Sequence, residues 1–290
     1  VIDSTARLAR AARERGFAVP AVNVVDDLSL RAVVDAAETT GAPVVVQVSV
    51  KTVRSIGTDL VTAMFRRSAA GASVPVALHL DHCPDRAVID DVVRAGWSSV
   101  LFDASDRDLD QAEKETREVV EQAHAAGVDV ESEVENVIGV EDGVGSDIAL
   151  HAYTVDELLA VAERTGADLL APQLGTAHGM YTSAPELLPE RARELARRSG
   201  LPVVLHGGTG LTEADFRSFI DAGVSKINIS TALKHSYMDA ARTSLERSAE
   251  TGRWDPPTLF KDISAAVRQT TVDHIEQFGA AGRAHDVRAR

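Results

Sequence analysis

Three of the nine histidines in this chain stand where an imidazole can do chemistry. His82 sits in Asp81-His82-Cys83-Pro84, His178 in Gly175-Thr176-Ala177-His178-Gly179-Met180-Tyr181, and His206 in His206-Gly207-Gly208-Thr209-Gly210. Each follows a short apolar run. Three imidazoles converging with a fourth position open form the ligand pattern of a catalytic zinc site. A single histidine of this kind is more often a core or surface residue; three on one rim argue for a metal. His79 lies inside an apolar run and reads as a hydrogen-bonded core residue, while His124, His151, His235, His274 and His285 read as surface imidazoles.

Two further segments suit an anion. The glycines after His206 let backbone N–H groups approach a phosphate, and Thr209 precedes a helical pattern. Lys226-Ile227-Asn228-Ile229-Ser230-Thr231 ends one apolar run and opens another helix. Simple N-capping by Thr209 and Thr231 is the plainer reading of either segment alone; the pair together favours phosphate. Glu131 and Glu133 alternate, so both can face a barrel interior, where a metal or a metal-bound histidine is a natural partner. The loop Gly139-Val140-Glu141-Asp142-Gly143-Val144-Gly145 reads as a solvated loop or as a lid carrying a carboxylate. Asp81 and His82 are neighbours, and a straight strand would send them to opposite faces. Both reach one site if the strand stops there, and Pro84 predicts such a stop.

The elements that must position these groups alternate regularly. Strands are expected at 17–25, 43–49, 75–81, 98–103, 128–133, 168–174, 202–206 and 224–229, and helices at 28–40, 58–70, 85–95, 109–126, 155–165, 186–199, 213–222 and 231–250. Several strands are continuous Val/Ile/Leu runs, as in strands buried on both faces. Eight βα units without a second compositional block predict an α/β fold, a closed (β/α)8 TIM barrel. A doubly wound sheet is the alternative, but no G-x-G-x-x-G follows the first strand. In the barrel, strand C-terminal ends build the active site. Those ends here carry Asn23, Ser49, Asp81, Asp103, Glu133, His206 and Asn228, whereas the opposite ends are mostly Pro, Ala, Val and Ser. Residues 1–250 are read as the barrel and 251–290 as a helical tail of the same domain, with loops at 134–154 and 175–185 long enough to be functional.

A net charge of −14 argues against a nucleic-acid partner. Cys83 is the single cysteine, so no intrachain disulfide forms, which fits a reducing, cytoplasmic compartment. No apolar run has the roughly 20 residues needed to span a bilayer, and the first residues lack the apolar core of a signal peptide.

Jointly the motifs resemble those of the class II fructose-bisphosphate and tagatose-bisphosphate aldolases. The resemblance rests on His79-Leu80-Asp81-His82, Asp103-Ala104-Ser105, the Gly175–Tyr181 run, Leu205-His206-Gly207-Gly208-Thr209-Gly210 and Lys226–Thr231, in that order. It implies a zinc-dependent lyase on a TIM barrel, reversibly cleaving a ketose (bis)phosphate to dihydroxyacetone phosphate and an aldehyde through a zinc-stabilised enediolate. It implies Asp81 as the catalytic proton donor and acceptor, and His82, His178 and His206 as zinc ligands. Asp103 and Glu133 match further or alternative metal positions. Glu141 matches a loop carboxylate that exchanges the enolate proton. Gly179, Gly207, Gly208, Thr209, Asn228, Ile229, Ser230 and Thr231 match the binding site for the phosphorylated sugar. The family further implies a monovalent cation (Na+ or K+) near Gly179 and Gly207, and a homodimer or homotetramer. The arginine that grips a second phosphate in some members has no clear match, although Lys51 and Arg54 follow strand two. Two alternatives stay open from the residues: a Schiff-base aldolase using Lys226, and a non-catalytic sugar-phosphate-binding protein on the same barrel.

Overall fold

The computed structural model describes residues 1–141, 144–146, 148, 150–179 and 185–287. In chain order it runs α1 (Thr5–Arg15), β1 (Val19–Asn23), α2 (Asp27–Thr40), β2 (Val44–Ser49), α3 (Val50–Ile56), α4 (Thr58–Ala70), β3 (Val76–Cys83), α5 (Arg86–Arg94), β4 (Ser99–Asp103), α6 (Leu109–Ala125) and β5 (Asp129–Glu133). A small hairpin of β6 (Gly139–Glu141) and β7 (Val144–Ser146) follows. Then come α7 (Val155–Thr165), β8 (Leu169–Leu170), α8 (Pro189–Ser199), β9 (Val203–Leu205), α9 (Glu213–Asp221), β10 (Val224–Ile229), α10 (Thr231–Thr251), α11 (Pro256–Gln277) and α12 (Ala284–Val287).

Eight of these strands close into one parallel barrel in the order β1-β10-β9-β8-β5-β4-β3-β2, with β1 also paired to β2. This is the expected (β/α)8 barrel. Alternation along each strand sorts the side chains into two cores. Val46, Val48, Leu78, Leu80, Val100, Val130 and Ile227 point outward and pack with Val33, Phe65, Val92, Val119 and Phe219 of the helices. Inside, the lower layer is apolar and small (Val19, Ala21, Val45, Ala77), and Leu8 and Ala12 of α1 plug it.

Helix α1 was not expected from the sequence, though its signals are present. Ser4 caps it by accepting from Arg7 N, and Gly16 ends it at φ 71°. Helix α3 was also not expected; it begins immediately at the end of β2, with Ser49 as its N-cap. The strand expected at 168–174 is cut to Leu169–Leu170. Pro172 lacks the N–H that a ladder needs, so pairing stops before it.

The tail packs on the barrel: Ile263 and Val267 of α11 and the following Phe278 are buried in the outer core. Beyond it, Gly282 N donates to Thr40 O at 2.8 Å. Contrary to expectation, His274 is only partly exposed. It bonds Thr270 O at 2.7 Å and lies edge-on to Phe278.

Candidate metal centre and anion cradle

Strand register gathers the polar residues on one rim. Ser49 lies opposite Asp81, Asp103 opposite Glu133, and Asn23 opposite Gln47. Within each pair the two residues are level across the ladder.

At Asp81-His82 the strand does not stop, as the sequence suggested; it continues to Cys83 with a register shift between Leu80 and Cys83. His82 takes φ 41°, the single positive value among the described non-glycine residues. This left-handed kink turns two adjacent side chains toward the same space. Such a backbone costs of order 1–3 kcal/mol and persists where the surroundings enforce it.

The three histidines do converge. Ring centroids of His82 lie 4.9 Å from His178 and 4.7 Å from His206, and His178 lies 6.2 Å from His206. One nitrogen from each falls within 4.8 Å of the others; His82, Asp103 and Glu133 form a second such group. His178 reaches the rim from a loop held by a bridge: its N–H donates to Ile138 O at 2.7 Å, and Ile138 pairs with Ala177. The loop after β5 therefore positions the loop after β8.

The two buried imidazoles of the three, His82 and His206, each have one nitrogen occupied by a carboxylate. His206 Nε2 bonds Glu131 Oε1 at 2.9 Å, and His82 Nδ1 bonds Asp103 Oδ2 at 3.2 Å. Asp103 also accepts from Ser105 Oγ at 2.6 Å. His206 Nδ1 is buried and makes no hydrogen bond among the described residues. Glu133 Oε2 lies 3.2 Å from it but outside hydrogen-bonding geometry. A buried nitrogen left without a bond is costly, and a lone pair so placed suits a metal. Burial disfavours charge on His82 and His206. Glu133, Asp81 and Asp103 around His82, and Glu131 and Glu133 around His206, outweigh it and raise both above the ordinary imidazole range. Burial likewise pushes Asp103 up, but the bonds from His82 and Ser105 bring it down to about 2. Asp81, Asp103, Glu131 and Glu133 are all buried, against one buried ammonium, Lys226. That imbalance also fits a divalent cation.

Asp81 is held by two amides. Asn23 Nδ2 donates to Oδ2 at 2.7 Å and Asn228 Nδ2 to Oδ1 at 3.3 Å. Gln47 in turn donates to Asn23 Oδ1 at 2.7 Å. Glu131, read from its alternation with Glu133 as facing the interior beside a metal or a metal-bound histidine, is found bonded to His206; Gln47 was not singled out, and period-two alternation with Ser49 was the available signal. His79 behaves as expected, bonded to Ser99 Oγ at 2.7 Å; burial and the nearby Lys226 lower it to about 3, so it is neutral.

The anion segments also meet. Gly207 has φ 68°, and a Cβ there would lie 2.4 Å from Ala177 O, so this turn admits glycine alone. Thr209 Oγ1 accepts from Ala232 N at 3.2 Å, which brings the two segments into contact. Ser230 precedes α10 without a side-chain capping bond, and its buried Oγ has no partner among the described residues. The first turn of a long helix and an orphan hydroxyl are features an anion completes. Asn228 is buried beside them; the side chain of Ile229 belongs to the outer core, so only its backbone faces the cradle. Gly208 and Thr231 lie on these two segments, and Gly179, at φ 84°, lies on the loop that carries His178. The side chain of Glu141, and Met180 and Tyr181, lie outside the described residues.

Lys226 Nζ stands 2.8 Å from Glu131 Oε2 and donates to Asn228 Oδ1 at 2.8 Å. An ammonium engaged in this way offers no lone pair, which removes the ground for a Schiff base.

A parallel barrel with a tri-histidine rim beside a buried carboxylate fits one class, the metal-dependent lyases among the TIM-barrel aldolases. The family model for "Fructose-bisphosphate aldolase class-II" matches residues 3–283, and the chain belongs to that family. It is 35% identical over 284 residues to a Bacillus subtilis (strain 168) protein named "Probable fructose-bisphosphate aldolase", covering 97% of this chain and 99% of the relative. To a fructose-bisphosphate aldolase of Staphylococcus aureus (strain Mu50) it is 34% identical over 276 residues, 94% and 96% of the two chains. The crystal structure of the YdjI aldolase from Escherichia coli K12 superposes with a TM-score of 0.85 at 29% identity, covering 98% of this chain and 100% of the other. Among the described residues no helix is long and apolar enough to cross a membrane.

Proposed function

We propose that the protein is a zinc enzyme that reversibly cleaves a ketose phosphate to dihydroxyacetone phosphate and an aldehyde. The observation that carries this reading is the convergence of His82, His178 and His206 beside Asp81, next to the uncapped start of α10. His82, His178 and His206 would hold the metal, and Asp103 and Glu133 would hold their imidazoles or take the ion in an alternative position. Zinc, when bound, would supply a Lewis acid for the ketone oxygen, where negative charge develops. Asp81 takes the proton from the hydroxyl of the breaking C–C bond and returns it in the synthetic direction. Asn23 and Asn228 fix that carboxylate and keep it an acceptor. Glu141 moves the proton at the nucleophilic carbon; this assignment stands on the sequence resemblance.

The phosphate would sit between Gly179, Gly207, Gly208, Thr209 and Asn228, Ile229, Ser230, Thr231, and its binding orients the reacting carbon. A monovalent cation, Na+ or K+, at backbone carbonyls near Gly179 and Gly207 completes the reading by likeness to the family. So do a cytoplasmic location, where a lone reduced cysteine is at home, and a barrel of residues 1–250 forming one domain with 251–290.

The aldehyde half is the open part of the substrate. Arg54 follows β2 on the rim, but its guanidinium is taken by Asp85 at 2.6 Å. We therefore infer a required phosphate on the ketone half and a looser demand on the aldehyde half. The test is cleavage of fructose 1,6-bisphosphate and hydrogen exchange of dihydroxyacetone phosphate, each with and without chelator. A panel of glyceraldehyde 3-phosphate, glyceraldehyde and a short unphosphorylated aldehyde completes it. Chelator should abolish both reactions and zinc restore them. Equal rates with unphosphorylated dihydroxyacetone overturn the cradle; a preference of about 1000-fold or more for glyceraldehyde 3-phosphate, roughly 4 kcal/mol, overturns the looser demand.

A further inference from the structure

Lys226 stands in mid-barrel with none of its surface exposed, and the proposed reaction gives it no part. Burying an ammonium is costly unless it is paired and hydrogen-bonded, so its partners show what it does. Each of the two leads to a different half of the site. Through Glu131, 2.8 Å away, it reaches His206 Nε2, 2.9 Å further on. Through Asn228 Oδ1, 2.8 Å away, it reaches Asp81, to which the same amide donates at 3.3 Å.

An ammonium has three donors and no acceptor, and that fixes the direction of both chains. Glu131 beside it is held as a carboxylate, which only accepts. His206 must then donate from Nε2, which leaves the lone pair on Nδ1, the nitrogen without a bond. Asn228 must turn its oxygen to Lys226, which leaves its NH2 for Asp81. Without the cation, Asn228 Oδ1 loses the donor that holds it, and among the described residues only the 3.3 Å bond to Asp81 remains to orient the amide. We propose that Lys226 is a positioning residue that sets both the metal-binding nitrogen of His206 and the proton-transfer carboxylate of Asp81. The inference rests on the metal-dependent aldolase reading of this site.

Three variants test it: Lys226→Met, Glu131→Gln and the double variant. Zinc affinity of each apo-protein is measured by competition with a chromophoric chelator, and kcat and KM are measured for cleavage of fructose 1,6-bisphosphate. Lys226→Met should bind zinc about 10- to 100-fold more weakly, and its kcat should fall at least about tenfold with KM little changed. The double variant removes the buried Lys226–Glu131 pair as a whole and leaves no stranded Glu131 charge, so it tests the proposal even if the single variant does not fold. It should regain most of the zinc affinity, because glutamine still accepts from His206, while kcat stays low because Asn228 has lost its fixed donor. A lysine that only balances charge predicts that the double variant regains kcat as well, and that result overturns the proposal. So does a folded Lys226→Met with unchanged zinc affinity and kcat. A wild type that binds zinc but shows neither cleavage nor exchange of dihydroxyacetone phosphate counts against the aldolase reading, while the zinc arm still decides on Lys226.

Discussion

Asp81 and Glu141 are assigned different proton transfers, and that separates their expected effects. Asp81 is buried and held by Asn23 and Asn228, and Glu131, Glu133 and Asp103 carry the closer contacts to His82 and His206. Asp81→Ala should therefore lower the rate of C–C cleavage by about 10²- to 10⁴-fold, the usual worth of a proton-transfer group. Zinc content, measured by atomic absorption, should stay at one per chain as in the wild type; loss of the metal would place Asp81 among its ligands instead. Glu141 belongs to β6 in the loop after β5. Glu141→Ala should slow tritium exchange at the ketone-phosphate carbon more than it changes zinc binding. Unchanged exchange would leave that loop without a part in the chemistry.

Among the elements, the loops after β5 and β8 depend on each other. Glu135 is fully buried and accepts from Tyr153 N at 2.8 Å, Gln173 N at 3.1 Å and Arg191 Nη2 at 2.8 Å. Arg191 also donates to Tyr153 O and Gln173 O. One ion pair thus ties both loops to α8, and the bridge from Ile138 then holds His178. The turn after β9 is tighter still. Gly207→Ala would push a Cβ to 2.4 Å from Ala177 O in a left-handed backbone. It should destabilise the fold by about 1–3 kcal/mol. By shifting the turn that faces α10, it should also raise KM for the ketose phosphate more than it lowers kcat. Calorimetry and steady-state kinetics on one preparation check both; an unaltered KM would detach this turn from phosphate binding.

For the whole molecule, the outer helices leave apolar surface. Met238 and Leu245 on α10, Trp254 in the following turn and Phe260 on α11 are exposed, Met238 at 65% and Trp254 at 68%. Exposed large side chains are where an interface would sit, and the homodimer or homotetramer expected from the family resemblance would cover such a surface. Sedimentation should give a dimer or tetramer at micromolar concentration. Trp254→Asp with Met238→Asp should shift the equilibrium toward monomer; a wild-type monomer at that concentration would count against the assembly.

Much of this was written locally. Apolar strand runs, glycine stops and eight repeats of the alternation dictated a parallel barrel, because strands buried on both faces and amphipathic helices pack in few ways. The three histidines, Asp81, and the turns at Gly207 and Ser230 were legible because strand ends and glycine-rich helix starts sit at predictable places on that barrel. What alternation could not supply was the third dimension. A straight strand separates Asp81 from His82, and only the bulge with His82 at φ 41° brings them together. Pairs such as Lys226 with Glu131, or Glu135 with Arg191, lie far apart along the chain, and register and loop closure bring them into contact. Helix α1 precedes the first strand of the alternation and α3 has only seven residues, too few for a helical period to show, although both carry local caps. Residue types and spacing thus determined which chemistry was available. Barrel closure decided which nitrogen of His206 faces the site and which amides hold Asp81, because hydrogen-bond direction depends on neighbours that only the folded chain provides.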